Sequence, residues 1–547
     1  MRAWLFIFLI SLSCMMISCS SKKAADLFVY NATIYTVDSA FRNAEAMVIK
    51  EDRIIAVGKK SDLEKEYQCK NSLNAEGKFI YPGFIDAHAH LLMYAAGLGE
   101  LDLTNTTSWD DVLHRFSDFK MPRDSAAWLI GRGWDQNDWP IKEFPTNDAL
   151  NERYPDQPVY LTRIDGHAAI ANNKALELAG IKAGDTITGG TYQTKNGKLT
   201  GILIDNAMDK VAAKIPDPSA AAMKGLLLQA QQNCFEVGLT GIHDCGLNYD
   251  VVEKIEALQK SGELKMRLYI MLSDAKKNYD YLLKRGAIKT DHLNVRGFKL
   301  FADGALGSRG ACLLQDYADK SGWKGFLLSN PEHFDSMAAL IVKNKWQMCT
   351  HAIGDSGNRT LLKIYAKYLG GKNDLRWRIE HAQVLNENDF HFFGDYNIIP
   401  SVQPTHATSD MYWAGDRLGK DRLKGAYAYQ QLLQQNNWIP LGTDFPVESI
   451  SPFKTFYAAV ARKDASGFPA GGFQMDNALT REQALRGMTI WAARAAFEEY
   501  EKGSLEPGKF ADFIILDKDL LKAPEKELPG TKVLMTYLGG ERVYEQR

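Results

Sequence analysis

Six polar residues, each at the end of an apolar run, constrain the fold of this chain more than any other feature. The first two, His88 and His90, follow the apolar segment 79–85. Side chains alternate along a strand, so residues two apart share a face and both imidazoles can bind the same metal ion. Alone, the pair could also be two unrelated polar residues at the mouth of a strand. The four later residues favour a metal site.

Those four residues appear in a fixed order along the chain. Lys299 follows the run 295–298, His351 follows 346–350, His381 follows 377–380, and Asp444 follows 439–443. Predicted strands near 266, 295, 346, 377, 398 and 439 alternate with helical stretches, which indicates parallel βαβ units.

The series His-x-His, Lys, His, His, Asp resembles the amidohydrolase superfamily, in which such residues end strands one, four, five, six and eight of a barrel. The segments 86–90, 301–309, 351–355 and 380–383 resemble one branch, amidohydrolase family 3, which includes N-substituted formamide deformylase. The resemblance extends over nearly the whole chain after its N-terminal segment. It implies an α/β metal-dependent hydrolase built on a (β/α)8 TIM barrel, with a flanking composite β-sandwich and an inserted α+β subdomain.

The domain organisation follows from where the strand patterns occur. Strand-rich segments at both ends are each too small for a core of their own, so we expect 25–80 and 500–547 to form one composite β-sandwich. The barrel then comprises 81–99 and 219–499. The intervening 100–218 is longer than a crossover helix requires, and it contains a predicted hairpin around Asn196 and Gly197.

The resemblance implies a role for each of the six residues. One ion would lie on His88, His90 and Asp444, and a second on His351 and His381. Lys299 would take up carbon dioxide and bridge the ions as a carbamate; the alternative is an ammonium paired with Asp303 or Asp444. Imidazole and carboxylate ligands favour zinc, one or two ions, with other divalent metals as alternatives. Metal-bound hydroxide would attack, and Asp444 would transfer the proton to the leaving amine.

Further residues are candidates for substrate contact. Gln403 and His406 lie where the seventh strand should end. Four more belong to segments that resemble pocket motifs of the family: Asp303, Arg309, Trp134 and His167. Each also has a structural interpretation: Asp303 as a turn cap, Trp134 as packing within the insertion, and His406 as a solvent-facing loop residue.

The predicted reaction is hydrolysis of a non-peptide, amide-type carbon–nitrogen bond in a small molecule. Trp128, Trp134 and Trp139 favour an N-substituted amide with an apolar or aromatic group. The alternatives are an ester or cyclic imide hydrolase on the same metal core, and a lipid-anchored binding protein without catalysis. The second alternative predicts a missing ligand or base, and none is missing.

The N-terminus predicts export to a bacterial cell envelope. Arg2 precedes an apolar run over 3–17, which is short for a membrane span and typical of a signal peptide, predicted over 1–19. The segment 16–19 resembles a lipoprotein cleavage box, so Cys19 is the expected lipid anchor to the membrane. Met16 departs from the usual leucine, and a plain secretory signal is the alternative.

Composition excludes few functions but fits this interpretation. A chain of 547 residues, 45% of them hydrophobic, can bury a large core. The formal net charge of −2 gives no basic excess for nucleic acid. The oligomeric state stays open, with a homo-oligomer as one alternative.

Overall fold

The computed structural model describes residues 22–118 and 128–547. The predicted signal peptide and Cys19 therefore lie outside the described residues. Within the described ranges, no helix combines the length and the apolar character needed to cross a membrane.

A barrel of parallel strands forms the centre of the molecule. Seven strands pair in parallel with their neighbours: Phe84–Ala89, Leu239–Leu247, Arg267–Ser273, Leu293–Phe301, Gln347–Ala352, Arg378–His381 and Ile399–Ser401. These strands are buried almost throughout, which is typical of parallel sheets covered by helices. The (β/α)8 barrel predicted from sequence is confirmed.

The segment 439–444 occupies the eighth strand position and closes the barrel. Leu441 O accepts a hydrogen bond from Ala87 N (3.1 Å), and Asp444 N donates one to His88 O (2.7 Å). On its other side, Gly442 N donates to Val402 O (3.1 Å). Asp444 is thus held beside the strand that carries the His-x-His pair.

Helices cover the outside of the barrel, and shorter helices lie within its connecting segments. They span Leu91–Gly97, Ala220–Glu236, Tyr249–Lys260, Lys276–Arg285, Pro331–Lys343, Asp355–Leu369, His391–Asp395, Pro404–Asp410, Ala414–Leu423, Tyr429–Asn436, Pro452–Ala461, Arg481–Gly487 and Ile490–Ala495. Local sequence fixes several helix starts. Asn330 caps the helix that begins with Pro331, and Thr480 forms a capping box with Gln483. A short strand, Ile288–Lys289, pairs antiparallel with the fourth barrel strand.

The two ends of the chain combine, as expected for the composite β-sandwich, and their strands form one flanking eight-stranded sheet. Its strands are Lys23–Tyr35, Asn43–Lys50, Arg53–Gly58, Tyr67–Asn74, Phe79–Pro82, Phe513–Leu516, Val533–Leu538 and Glu541–Glu545, with the helix Lys60–Glu66 beside them. The N- and C-terminal parts join where Phe79–Pro82 pairs antiparallel with Phe513–Leu516. Because Phe79–Pro82 leads almost directly into the first barrel strand, the flanking sheet and the barrel are joined at this point.

The insertion carries a third sheet. Its strands are Leu101–Asp102, Leu129–Trp134, Val159–Arg163, Ala168–Ala171, Gly190–Lys195 and Lys198–Asp205, and its helices are Trp109–Asp118, Asp148–Arg153, Asn173–Leu178 and Asp209–Ala212. Short 3₁₀ turns lie at Gln136–Asp138 here and at Glu387–Asp389, Met475–Asn477 and Glu525–Gly530 elsewhere. The predicted hairpin is present: Asn196 and Gly197 have φ of 51° and 74°, the positive values that a two-residue turn of type I′ requires.

Candidate metal centre

The six residues that the sequence singled out converge at the mouth of the barrel. Lys299 Nζ lies 3.3 Å from His88 Nε2, and His90 Nε2 lies 3.2 Å from Asp444 Oδ1. The His381 ring centroid is 4.7 Å from that of His88 and 4.6 Å from that of His351. Ligand atoms of His88, His381 and Asp444 all lie within 4.8 Å of one another, a spacing that suits a shared metal ion.

Two of these residues reach the mouth through an unusual backbone conformation. His381 has φ of 73° and Asp444 has φ of 65°. Positive φ is costly for residues other than glycine, and it clusters at functional sites, where surrounding structure holds it. Here it turns the chain at the ends of the sixth and eighth strand positions, so that both side chains lie over the barrel mouth.

The electrostatics of the centre favour the metal-binding forms of its side chains. Burial lowers the pKa of His88, His351 and His381 well below the ordinary value, which keeps these imidazoles neutral. Burial alone would raise the pKa of Asp444, but the imidazoles of His88 and His90 bring it well below its usual range. Neutral imidazoles beside a carboxylate form a typical ligand set for a divalent ion.

His351 carries a polar atom that a metal ion would satisfy. Its Nε2 is buried and has no hydrogen-bond partner among the described residues. Buried polar atoms of this kind are rare without a partner, because leaving one unsatisfied costs about 1–3 kcal/mol. The residues present therefore fit a bound cation.

Lys299 lies buried beside the histidines. Its Nζ contacts His88 Nε2 and lies 4.7 Å from the centre of the Phe301 ring, and it forms no ion pair with Asp303 or Asp444 in the described structure. Neither carboxylate pairing considered from sequence is present among the described residues, and the chemical state of the Lys299 amine stays a prediction.

A cavity of about 520 Å³ opens above this centre, and the barrel loops and the insertion both line it. This volume is in the range of small-molecule sites. Two predicted substrate contacts line the cavity. His406 Nε2 lies 3.6 Å from Asp444 Oδ2, and His167 comes from the insertion with its Nδ1 2.6 Å from Asp205 Oδ1. Substrate contact by His167 and His406 stays a prediction.

The other four predicted substrate contacts do not line the cavity. Gln403 accepts a hydrogen bond from His381 at 2.7 Å, so it orients a candidate ligand. Trp134 is 0% exposed and donates its indole N–H to Leu161 O (2.9 Å) within the insertion core. Asp303 is buried and accepts three backbone N–H groups, from Cys312, Ile353 and Gly354. Arg309 pairs with Asp319 and does not line the cavity.

The three tryptophans that suggested an aromatic substrate group lie away from the cavity. Trp134 and Trp139 pack in the core of the insertion, and Trp128 packs beside a second apolar cluster there. None of the three lines the cavity, so they give no support for an aromatic substrate group, and that group stays a prediction. Large aromatic residues serve equally well as core material, and sequence alone does not separate the two uses.

Three buried carboxylates near the centre were not assigned roles from sequence. Asp86 accepts hydrogen bonds from His88 N (3.1 Å) and Thr443 Oγ (2.6 Å), which joins the first and eighth strand positions. Burial raises the pKa of Asp86 to about 7. Asp205 holds His167, and Glu380 lies 2.5 Å from His88 Nδ1. Alternation along the first strand places Asp86 on the face of the His-x-His pair, a signal that could have identified it.

Comparison with known proteins gives a consistent result. The family model described as the amidohydrolase family matches residues 72–544. Protein LONG AFTER FAR-RED 3 of Arabidopsis thaliana is 32% identical, over 95% of this chain and 92% of its own length. N-substituted formamide deformylase of Arthrobacter pascens is 26% identical, over 95% and 98%. A solved structure of an uncharacterised metal-dependent hydrolase from Pyrococcus horikoshii OT3 superimposes with a TM-score of 0.75 at 26% identity, covering 91% of this chain and 99% of that one.

Proposed function

The chain belongs to the amidohydrolase family, and from that premise we propose that it hydrolyses a non-peptide, amide-type carbon–nitrogen bond in a small molecule. One observation carries the proposal: six side chains from five barrel positions converge beneath a cavity, and the buried His351 Nε2 among them lacks a hydrogen-bond partner in the described structure. N-substituted formamide deformylase, a relative over most of both chains, acts by its name on such a bond.

We propose that His88, His90, His351, His381, Asp444 and Lys299 hold one or two divalent ions, with zinc as our choice. Neutral imidazoles with a carboxylate match the ligand preference of zinc. When bound, the metal supplies a water of lowered pKa and polarises the scissile carbonyl. The protein supplies the geometry, and in particular a fixed carboxylate beside the reacting atoms.

Asp444 is the proton carrier in this proposal. Its carboxylate is ionised at neutral pH because neighbouring imidazoles lower its pKa against the effect of burial. It takes the proton of the attacking water as the carbon–oxygen bond forms. It then passes that proton to the nitrogen as the carbon–nitrogen bond breaks, so the products are a carboxylic acid and an amine.

Lys299 is proposed to react with carbon dioxide: the lone pair of its amine nitrogen forms a bond to the carbon, one carbon–oxygen π bond breaks to give an anionic oxygen, and a proton passes from the nitrogen to solvent, which leaves a carbamate. The support is the burial of its amine beside His88 without a carboxylate ion pair in the described structure. A carbamate anion in that position would be stabilised by neighbouring metal ions.

A substrate screen tests the reaction class. We expect the zinc-loaded protein to release amine from N-formyl or N-acyl amines, measured with an amine-reactive dye. Matched esters and cyclic imides of the same acyl group serve as comparison substrates. Faster turnover of the esters or the imides would contradict the amide assignment, and no turnover of any of them would favour a binding protein.

We also propose that the protein is exported and lipid-anchored through Cys19. The support is the apolar run 3–17 followed by Cys19 within a segment that resembles a lipoprotein cleavage box. In a bacterial host, labelled palmitate should be incorporated into the wild-type protein and not into Cys19→Ser. The variant should be absent from the membrane fraction. Cys69→Ser is the control. Equal labelling of all three proteins would refute the anchor.

A further inference from the structure

A charged pair lies buried in the barrel directly beside the candidate metal centre. Arg378 and Glu380, two residues apart on the sixth strand, are both 0% exposed. Arg378 Nε lies 2.7 Å from Glu380 Oε1, and Arg378 Nη2 donates to Glu380 Oε2 at 3.0 Å. Burying two charges is costly, and such a pair is weak evidence for stability on its own.

Arg378 connects four barrel strands through its guanidinium. It donates to Ala87 O on the first strand (2.6 Å) and to Ser401 Oγ on the seventh (2.8 Å). Its Nη1 lies 3.1 Å from His243 Nδ1 on the second strand. These contacts fix the guanidinium, and with it the carboxylate of Glu380, against the strand that carries His88.

Glu380 in turn contacts His88 on the side away from the centre. Its Oε2 lies 2.5 Å from His88 Nδ1, while His88 Nε2 lies 3.3 Å from Lys299 Nζ and 3.5 Å from Asp444 Oδ1. A carboxylate only accepts hydrogen bonds, so the hydrogen of the neutral ring belongs on Nδ1. The lone pair is then on Nε2 and directed at the other candidate ligands.

We propose that Glu380, held by Arg378, is a positioning residue that fixes the tautomer and ring orientation of His88 so that Nε2 binds the metal. This inference rests on the proposed metal-dependent function and deepens it. Carboxylates that accept the second N–H of a metal-bound histidine raise its affinity for the ion and orient its ring.

A competing arrangement would place a cation on Glu380 itself. Ligand atoms of His88, Cys245 and Glu380 also lie within 4.8 Å of one another, so these three could in principle hold a cation themselves. The guanidinium of Arg378 already supplies a positive charge to Glu380 at 2.7 Å. A metal ion there would be repelled by that charge, which leaves Glu380 to act through His88.

Metal affinity tests the proposal without relying on activity. Full-length wild type and Glu380→Gln, stripped of metal, are titrated with zinc against a chromophoric chelator. We expect about 10- to 100-fold weaker binding for the variant, the usual loss when such a partner is removed. In the His88→Ala background the same change should have no further effect, because the coupling runs through His88.

The buried pair of Arg267 with Asp512 provides a matched control. It is likewise a buried arginine–carboxylate pair, at 2.7 Å and 2.9 Å, but joins the third barrel strand to the flanking sheet. Asp512→Asn should lower thermal stability and leave zinc affinity unchanged. Equal zinc affinity of wild type and Glu380→Gln would overturn the inference, whereas a wild type that binds no metal would overturn the proposed function instead.

A second measurement keeps the inference testable if Glu380→Gln fails to fold. Wild-type protein is loaded with cadmium and labelled at its histidine nitrogens for NMR. We expect scalar coupling from the metal to Nε2 of His88, assigned by its loss in His88→Ala. Coupling to Nδ1 of His88 would overturn the proposal.

Discussion

Asp444→Asn is expected to lower kcat by about 10²- to 10⁴-fold, the range that a positioned general base contributes. Asparagine keeps the size of the side chain and an oxygen ligand but cannot carry a proton at neutral pH. The assay is amine release at saturating substrate and saturating zinc, with metal content measured on the same sample.

Asp205→Asn is a suitable control for this prediction, because it alters another carboxylate that pairs with a cavity histidine, His167. Its effect on kcat should be smaller than that of Asp444→Asn. A variant Asp444→Asn that keeps wild-type turnover would show that the proton is carried by another group.

Replacing Lys299 is expected to abolish turnover. Lys299→Met keeps the length and apolar stem of the side chain but cannot take up carbon dioxide, so it should bind less metal than wild type. Lys299→Ala leaves space beside His88, and added acetate or propionate should partly restore turnover by supplying a carboxylate at the position of the carbamate.

The two lysine variants check each other. Carboxylates should restore Lys299→Ala and not Lys299→Met, whose side chain fills the space. Full activity of Lys299→Met would contradict a carbamate role. Native mass spectrometry of the wild type should show one added carbon dioxide that is lost on acidification.

The fold and the convergence of the six candidate ligands could be predicted because both depend on features that are local in sequence. Apolar runs that each end in a polar residue identify barrel strands, and the ends of parallel strands meet at one mouth whatever the loops do. His88 and His381 therefore come together although nearly three hundred residues separate them. The composite flanking sheet was predictable for a similar reason, since neither strand-rich end has a core of its own.

The surroundings of the centre could not be predicted in the same way, because they depend on packing between distant segments. Glu380 precedes His381, and adjacent residues of a regular strand face opposite sides. Only the turn at His381, with φ of 73°, brings its ring to the mouth while Glu380 reaches His88 from inside the barrel. Trp134 shows the opposite error: its motif suggested the cavity, but its ring is buried in the insertion.

The most direct test of the account is metal content per chain, by elemental analysis of protein purified without chelator. We expect one or two tightly bound zinc-like ions per chain, held by the six residues at the barrel mouth: His88, His90, Lys299, His351, His381 and Asp444. If no metal binds tightly, even after reconstitution with zinc, the proposed nucleophile has no source and the hydrolase assignment for this chain is contradicted.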